Sequence, residues 1–217
     1  LLHLPRNETL SLGLLSSDGR FKRLPIEDML ELSGRAATIL KLKNGVLLKS
    51  AVICHPKGEI AIVSSYGRIL KFLINEETIP LMGKLAQGPI TMRTFPGELI
   101  VGAVSIPKDH EENLIIISRY GYIKKIIFSS IKESKRGYIG EMSINLKKFN
   151  NNPDRVIAVY NGKLLGNIIS SKDRNGRISP NQIERLLLNK NQETFVELKE
   201  NEYIEKIIPL ITNETDL

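Results

Sequence analysis

Short apolar runs alternate with turn-forming clusters along the whole chain, and four of these runs share one layout. They are LLSSDGRFKRLP from Leu14, AIVSSYGRILKF from Ala61, IIISRYGYIKKI from Ile115 and IAVYNGKLLGNI from Ile157. Each predicts an apolar strand, an X-Gly turn and a second strand that opens with basic residues. The turn pairs are Asp18-Gly19, Tyr66-Gly67, Tyr120-Gly121 and Asn161-Gly162. Gly, Asn and Asp tolerate the positive φ of tight hairpins. The two Tyr-Gly pairs are weaker signals, because tyrosine pays a steric cost there. The turn glycines are 48, 54 and 41 residues apart. That is long for one hairpin and right for a four-stranded unit.

A small basic loop follows each turn: Gly34-Arg35, Gly83-Lys84, Arg136-Gly137 and Gly176-Arg177. A second β pair is expected after each loop, turning at Asn44-Gly45, Pro96-Gly97, Asn152-Pro153-Asp154 and near Asn201. Only Ile26 to Leu32 and Gln182 to Leu188 have room for a turn or two of helix. Tandem four-stranded units predict an all-β, propeller-like disc, with blades near 10–56, 57–110, 111–153 and 154–211. There is no Trp in the chain, so the WD40 signature is excluded. Leu1 to Thr9 reads as the remnant of a preceding blade, and the missing initial Met as the mark of a piece of a longer protein.

Composition sharpens this picture without changing the class. A chain of 217 residues with 41% hydrophobic and 25% charged residues is ordinary for a globular domain. No stretch approaches the roughly 18 apolar residues of a membrane helix, and no leader is expected. The single Cys54 excludes a disulfide framework and suits a reducing compartment. The net charge of +7 is unevenly spread. Residues 191–217 hold seven acids and two bases, a net of −5, which leaves +12 on residues 1–190. A basic body with an acidic end is a common arrangement in nucleic-acid binders.

Catalytic chemistry has no candidate residues. Cys54-His55 is remote in sequence from His3 and His110, and Asp109-His110-Glu111-Glu112 reads as a hydrated loop, so no metal is expected. The basic residues, by contrast, recur in register: Arg20, Lys22 and Arg23 after the first turn, Arg68 and Lys71 after the second, Lys124 and Lys125 after the third, Lys163 after the fourth. Units related by rotation would set these around one rim with the loop residues Arg35, Lys84, Lys135, Arg136 and Arg177. Such a rim holds a bent duplex by its phosphates without reading bases.

The run SSDGRFKRLPIEDMLELSGRAATILKLKNG, the later SSYGRILKF and SRYGYIKKI, and the Gly-Arg and Gly-Lys loops resemble the C-terminal domain of the A subunit of bacterial type IIA topoisomerases, DNA gyrase and topoisomerase IV. The resemblance implies a β-pinwheel whose basic perimeter bends double-stranded DNA, non-catalytic by itself and acting with the rest of the A subunit, together with the ATPase B subunit. It implies a cytoplasmic, nucleoid-associated protein with no cofactor in this chain, ATP and Mg acting elsewhere in the enzyme. It also implies DNA-facing positions for Arg20, Lys22, Arg23, Arg68, Lys71, Lys124 and Lys125. The loops SGRAA, MGKLAQG and KRGYIG depart from the QRRGGKG box of gyrase; the resemblance puts that box in the first blade, which this piece is expected to lack, so its absence does not separate gyrase from topoisomerase IV. A propeller-type protein-interaction scaffold without DNA binding is the alternative; an enzyme with a site in the central channel is a further one.

Overall fold

The computed structural model describes residues 4, 9–30, 37–146, 148–149, 152–162, 168–172, 178–182, 193–195, 198 and 202–208. Almost all regular structure among them is β. The first unit supplies β1 (Ser11–Ser16), β2 (Phe21–Pro25), the single helical turn α1 (Glu27–Leu30) and β3 (Leu48–Cys54). The second supplies β4 (Glu59–Ser64), β5 (Arg68–Leu73) and β6 (Ile100–Ile106). The third supplies β7 (Asn113–Ser118), β8 (Tyr122–Ile127), the short β9 (Glu141–Met142), the small hairpin of β10 (Lys148–Phe149) and β11 (Asn152–Pro153), and β12 (Val156–Asn161). The last comprises β13 (Ile168–Lys172), β14 (Ile178–Gln182), β15 (Glu193–Phe195) and β16 (Tyr203–Ile208).

Among the described residues, beside the two-stranded β10-β11, four larger antiparallel sheets result, ordered β2-β1-β3, β6-β4-β5-β9, β12-β7-β8-β15 and β14-β13-β16. In the first three sheets the innermost strand is β3, β6 or β12, and these line an axial cavity of about 620 Å³. The described residues therefore form a propeller-like array of such sheets.

Two expectations need correction. In the second, third and fourth units the second β pair does not close on itself. Its later half joins its own hairpin, while its earlier half crosses to the preceding blade. Thus β9 pairs with β5, β15 with β8, and the bridges Arg20–Ile90 and Arg23–Leu81 attach the second unit to β2. The contacts repeat closely: Met82 N donates to Arg23 O at 2.8 Å and Ser134 N to Lys71 O at 2.7 Å. The reason is that the outer strand of each hairpin has a free edge, whose backbone groups need partners when covered.

The fourth unit is also displaced. The strand from Val156, expected to open the fourth blade after a boundary at residue 153, pairs with β7 and is the inner strand of the third. The fourth hairpin is β13 with β14, and the sequence between them contains Asn175-Gly176. Gly19, Gly67, Gly121 and Gly176 then recur at 48, 54 and 55 residues, a more regular repeat.

Turn geometry explains why tyrosine precedes glycine without strain. Gly19 N donates to Ser16 O at 3.0 Å, Gly67 N to Ser64 O at 3.0 Å and Gly121 N to Ser118 O at 3.3 Å. The positive φ falls on glycine in each, at 79°, 84° and 86°, and Tyr66 and Tyr120 stay out of the left-handed region.

The strands bury both faces, so their apolar residues run continuously instead of alternating. Leu15, Phe21, Ile62, Leu70 and Phe72 form the core between the first and second sheets. Val63, Ile69, Ile116, Ile126 and Phe128 form the next, and Ile117, Ile123 and Ile204 the one after.

The crossing segments approach closely through Gly88 and Gly140. A Cβ on Gly88 would lie 2.2 Å from Phe21 O, and one on Gly140 2.7 Å from Ile69 O. Gly45 has a similar φ of 77° but nothing within 4 Å. Gly45→Ala should therefore cost about 1 kcal/mol, the left-handed penalty alone. Gly88→Ala should cost a further ~1–3 kcal/mol from overpacking, measured as the difference between their urea midpoints.

Candidate nucleic-acid interface

The strand order decides which cations reach solvent. Basic residues after each turn sit on β2, β5 and β8, one strand in from the rim, beneath the segment contributed by the next unit. Lys22, Arg23, Arg68 and Lys71 are accordingly buried, at 0%, 6%, 3% and 5% exposure. The expectation that all four face solvent on a rim is corrected, since a covered cation must find its partners inside the protein.

Each does so. Lys22 Nζ donates to Ile39 O at 2.7 Å and to Lys84 O, and burial lowers its pKa. Arg23 reaches outward to Glu76, whose own side chain is exposed. Lys71 Nζ lies 3.2 Å from Glu59 and 3.4 Å from Phe128 O. Arg68 grips Glu98 with two N–H groups, one at 2.9 Å, and stacks on Phe95 at 4.1 Å. Arg20 is intermediate: its Nε is 3.3 Å from Asp18, and one terminal nitrogen donates to Gly88 O at 2.9 Å.

The loops on the rim carry part of the accessible charge; Lys41, Lys43, Lys49, Lys57 and Lys108 are exposed as well. Lys135 and Arg136 are exposed and Lys84 is half-buried. The matched bridges from Leu81 and Glu133 place Lys84 and Arg136 at equivalent positions. Arg93, absent from the residues singled out by repetition, joins them. Its Nε donates to Gly137 O at 2.6 Å and its backbone N to Tyr138 O at 3.1 Å, while Gly137 N donates to Thr91 O at 2.7 Å. Two consecutive basic loops are thus tied into one surface. The signal in the sequence was Met92-Arg93 at the crossing point, visible only once the crossing is known.

Lys132 is also exposed there and pairs with Glu141 at 3.0 Å. Lys124 and Lys125 are half-buried, and Lys124 pairs with Glu193 at 3.0 Å. Arg35, Lys163 and Arg177 lie outside the described residues.

The axial cavity is lined mainly by aliphatic side chains, with Lys49, His55 and Tyr160 as its ionisable members. Burial lowers the His55 pKa, helped by His110, and raises that of Tyr160. Beside it Cys54 is buried, and burial pushes its thiol up to about 12, which removes it as a nucleophile.

The buried and exposed cations should separate in experiment. Burial by itself would raise the Glu98 pKa, but hydrogen bonds from Arg68, Ser64 and the Phe95 N–H, with the Arg68 charge, hold it below its usual value. The stability it contributes is present above the unfolded-state carboxyl pKa and is lost as pH falls through the lower folded value. Arg68→Ala should cost ~3–5 kcal/mol by stranding a buried carboxylate. Lys135→Ala with Arg136→Ala should stay within about 0.5 kcal/mol. Urea titrations between neutral and acid pH test both, and Glu98→Gln should flatten the acid limb.

Comparison with known proteins agrees with this architecture. The family model described as the DNA gyrase C-terminal domain, a β-propeller, matches residues 14–55 and 112–161. The A subunit of DNA topoisomerase 4 from Synechocystis is 28% identical over 71% of this chain and 17% of its own length. The A subunit of DNA gyrase from Borreliella burgdorferi is 28% identical over 60% of this chain and 16% of its own. The chain therefore spans about one sixth of these relatives. In fold, a DNA gyrase A C-terminal domain superposes with a TM-score of 0.72 at 20% identity, covering 95% of this chain and 68% of its own. The C-terminal domain of a DNA topoisomerase IV gives 0.71 at 18%, covering 94% and 63%. The chain is thus similar in sequence to gyrase and topoisomerase IV A subunits, and in fold to the C-terminal domains of such subunits.

Proposed function

We propose that the chain binds duplex DNA without sequence preference and bends it along the rim, as the non-catalytic C-terminal part of a type IIA topoisomerase. The observation that carries this reading is the pair of basic loops tied edge to edge, with Lys84, Arg93, Lys135 and Arg136 on one perimeter. Cations on a convex surface neutralise successive phosphates and release their counterions, while a convex path favours bent DNA. Strand cleavage falls to the remainder of the A subunit, ATP hydrolysis to the B subunit, and both are partners of this domain. A second reading, a protein-interaction scaffold, draws on the exposed Leu47, Leu48 and Leu99 at the ends of the adjacent strands β3 and β6.

Reversal of all four rim cations to Glu should weaken duplex binding equally for unrelated sequences. It should also reduce the log-log salt slope by about 0.9 for each lost phosphate contact. Gel-shift titrations at several salt concentrations measure this, and unchanged affinity would rule the rim out. Bending in a fixed hand should shift the topoisomer distribution when nicked plasmid is ligated with the protein bound. An unshifted distribution leaves binding without wrapping.

A further inference from the structure

The two basic loops on the rim are built on the same turn, Ala86 N donating to Gly83 O at 3.2 Å and Tyr138 N to Lys135 O at 3.4 Å. Lys84 and Arg136 take the same place in these turns, and close after each an apolar side chain stands in solvent. Leu85 is 67% exposed and Tyr138 51%. The tyrosine comes one residue later in its turn because Gly137, with a φ of 85°, fills the place of Leu85. We propose that Leu85 and Tyr138 enter the minor groove of a bound duplex and pack on its deoxyribose walls, so that the rim holds DNA in preference to double-stranded RNA.

Both tips are anchored from below. The buried Lys22 ammonium donates to Lys84 O under the first loop. In the second, Gly137 N donates to Thr91 O at 2.7 Å, Arg93 N to Tyr138 O at 3.1 Å and Arg93 Nε to Gly137 O at 2.6 Å. A backbone tied down in this way keeps the tips in water, where apolar surface gains free energy by finding a partner. The surrounding charge selects that partner. Around Tyr138, four exposed cations, Arg93, Lys132, Lys135 and Arg136, stand against two exposed acids, Glu133 and Glu141, the latter paired with Lys132. The core of a protein interface is depleted of charged residues, whereas these apolar side chains are set singly among cations. Ile90 and Met142 are exposed as well, but they lie on the completing segments and share no turn with a cation.

Single apolar tips flanked by positive charge match a polyanion whose phosphates border an apolar surface. The sugars lining the minor groove of DNA are such a surface. In a duplex bent around a convex rim, a minor groove that faces inward and is narrow brings its two walls together around a tip. The minor groove of double-stranded RNA is wide, shallow and lined with 2′-hydroxyls, so the same tips meet polar atoms there and too few of them. Contact with sugar reads no base, which agrees with binding without sequence preference. The inference rests on the duplex binding proposed above and adds what the cations cannot supply, since phosphates are common to both nucleic acids.

The test follows the full chain by fluorescence anisotropy at several salt concentrations, with a DNA duplex and the RNA duplex of the same sequence. The wild type should prefer DNA at every salt concentration. Leu85→Ser with Tyr138→Ser should lower DNA affinity roughly tenfold and leave RNA affinity nearly unchanged. The log-log salt slope should stay at the wild-type value, because no phosphate contact is lost. Both side chains are exposed, so the variant should keep the wild-type urea midpoint. Leu85→Met with Tyr138→Phe should restore the preference, the contact requiring apolar surface and not the phenolic hydroxyl. Equal loss of DNA and RNA affinity in the serine variant, or a lowered salt slope, overturns groove contact by the tips. Unchanged DNA affinity in that variant overturns it too and leaves duplex binding by the cations standing. A wild type that binds neither duplex overturns this inference and the proposed function together.

Discussion

Everything in this fold depends on the outer edges of β2, β5 and β8, each of which the following unit pairs. A hairpin alone leaves a row of backbone donors and acceptors on its second strand, and a fourth strand from its own unit does not arrive. Neighbouring units therefore interlock, each blade being completed by the next. The glycines at 88 and 140 follow from this requirement, because the crossing backbone passes within van der Waals contact of the strand it completes. The basic loops that lead into the crossing become the perimeter for the same reason.

Interlocking also determines the fate of the charges. A cation on the second hairpin strand is covered when the edge is paired, so it must be compensated from residues distant in sequence. Arg68 with Glu98 and Lys71 with Glu59 and Phe128 O are the outcomes. Buried pairs of this kind add little net stability over well-packed apolar residues, yet breaking one is costly. A second set of contacts ties successive blades at one face. Val156 N donates to Ser65 O at 2.9 Å and Ile204 N to Arg119 O at 2.8 Å. Beside these bonds Arg155 stacks on Tyr66 at 4.3 Å, and Arg119 on Tyr203 at 4.1 Å. Arginine and tyrosine exchange sides between the two junctions.

Much of the fold was legible because turn glycines need no tertiary knowledge. Gly19, Gly67 and Gly121 sit where positive φ is required, and the apolar runs before them are the central strands. The fourth unit was misplaced because β12 reads as a hairpin strand ending at Asn161-Gly162. The true hairpin has Pro180 and polar residues in its second strand, a poor β signal. Repetition brought out Lys84, Lys135 and Arg136, which lie in loops, the last two exposed. It treated Lys22 and Arg68 alike with them, since register along a strand says nothing about what covers it. Strand exchange is a long-range pairing that leaves no local pattern.

The distinction changes what the net charge means. A buried arginine paired with a glutamate cancels at short range and projects almost no field. Lysines on an exposed loop act over about a Debye length, roughly 8 Å at physiological salt. The perimeter is therefore governed by few residues, chiefly Lys84, Arg93, Lys132, Lys135 and Arg136. Their separation from the buried pairs lets the surface vary while the interlock stays intact. At the third blade the completing strand brings Glu193 against Lys124, where a glycine occupies the corresponding place in the two preceding crossings. That pair cancels the Lys124 charge at short range, whereas the first two crossings carry no acid at this position.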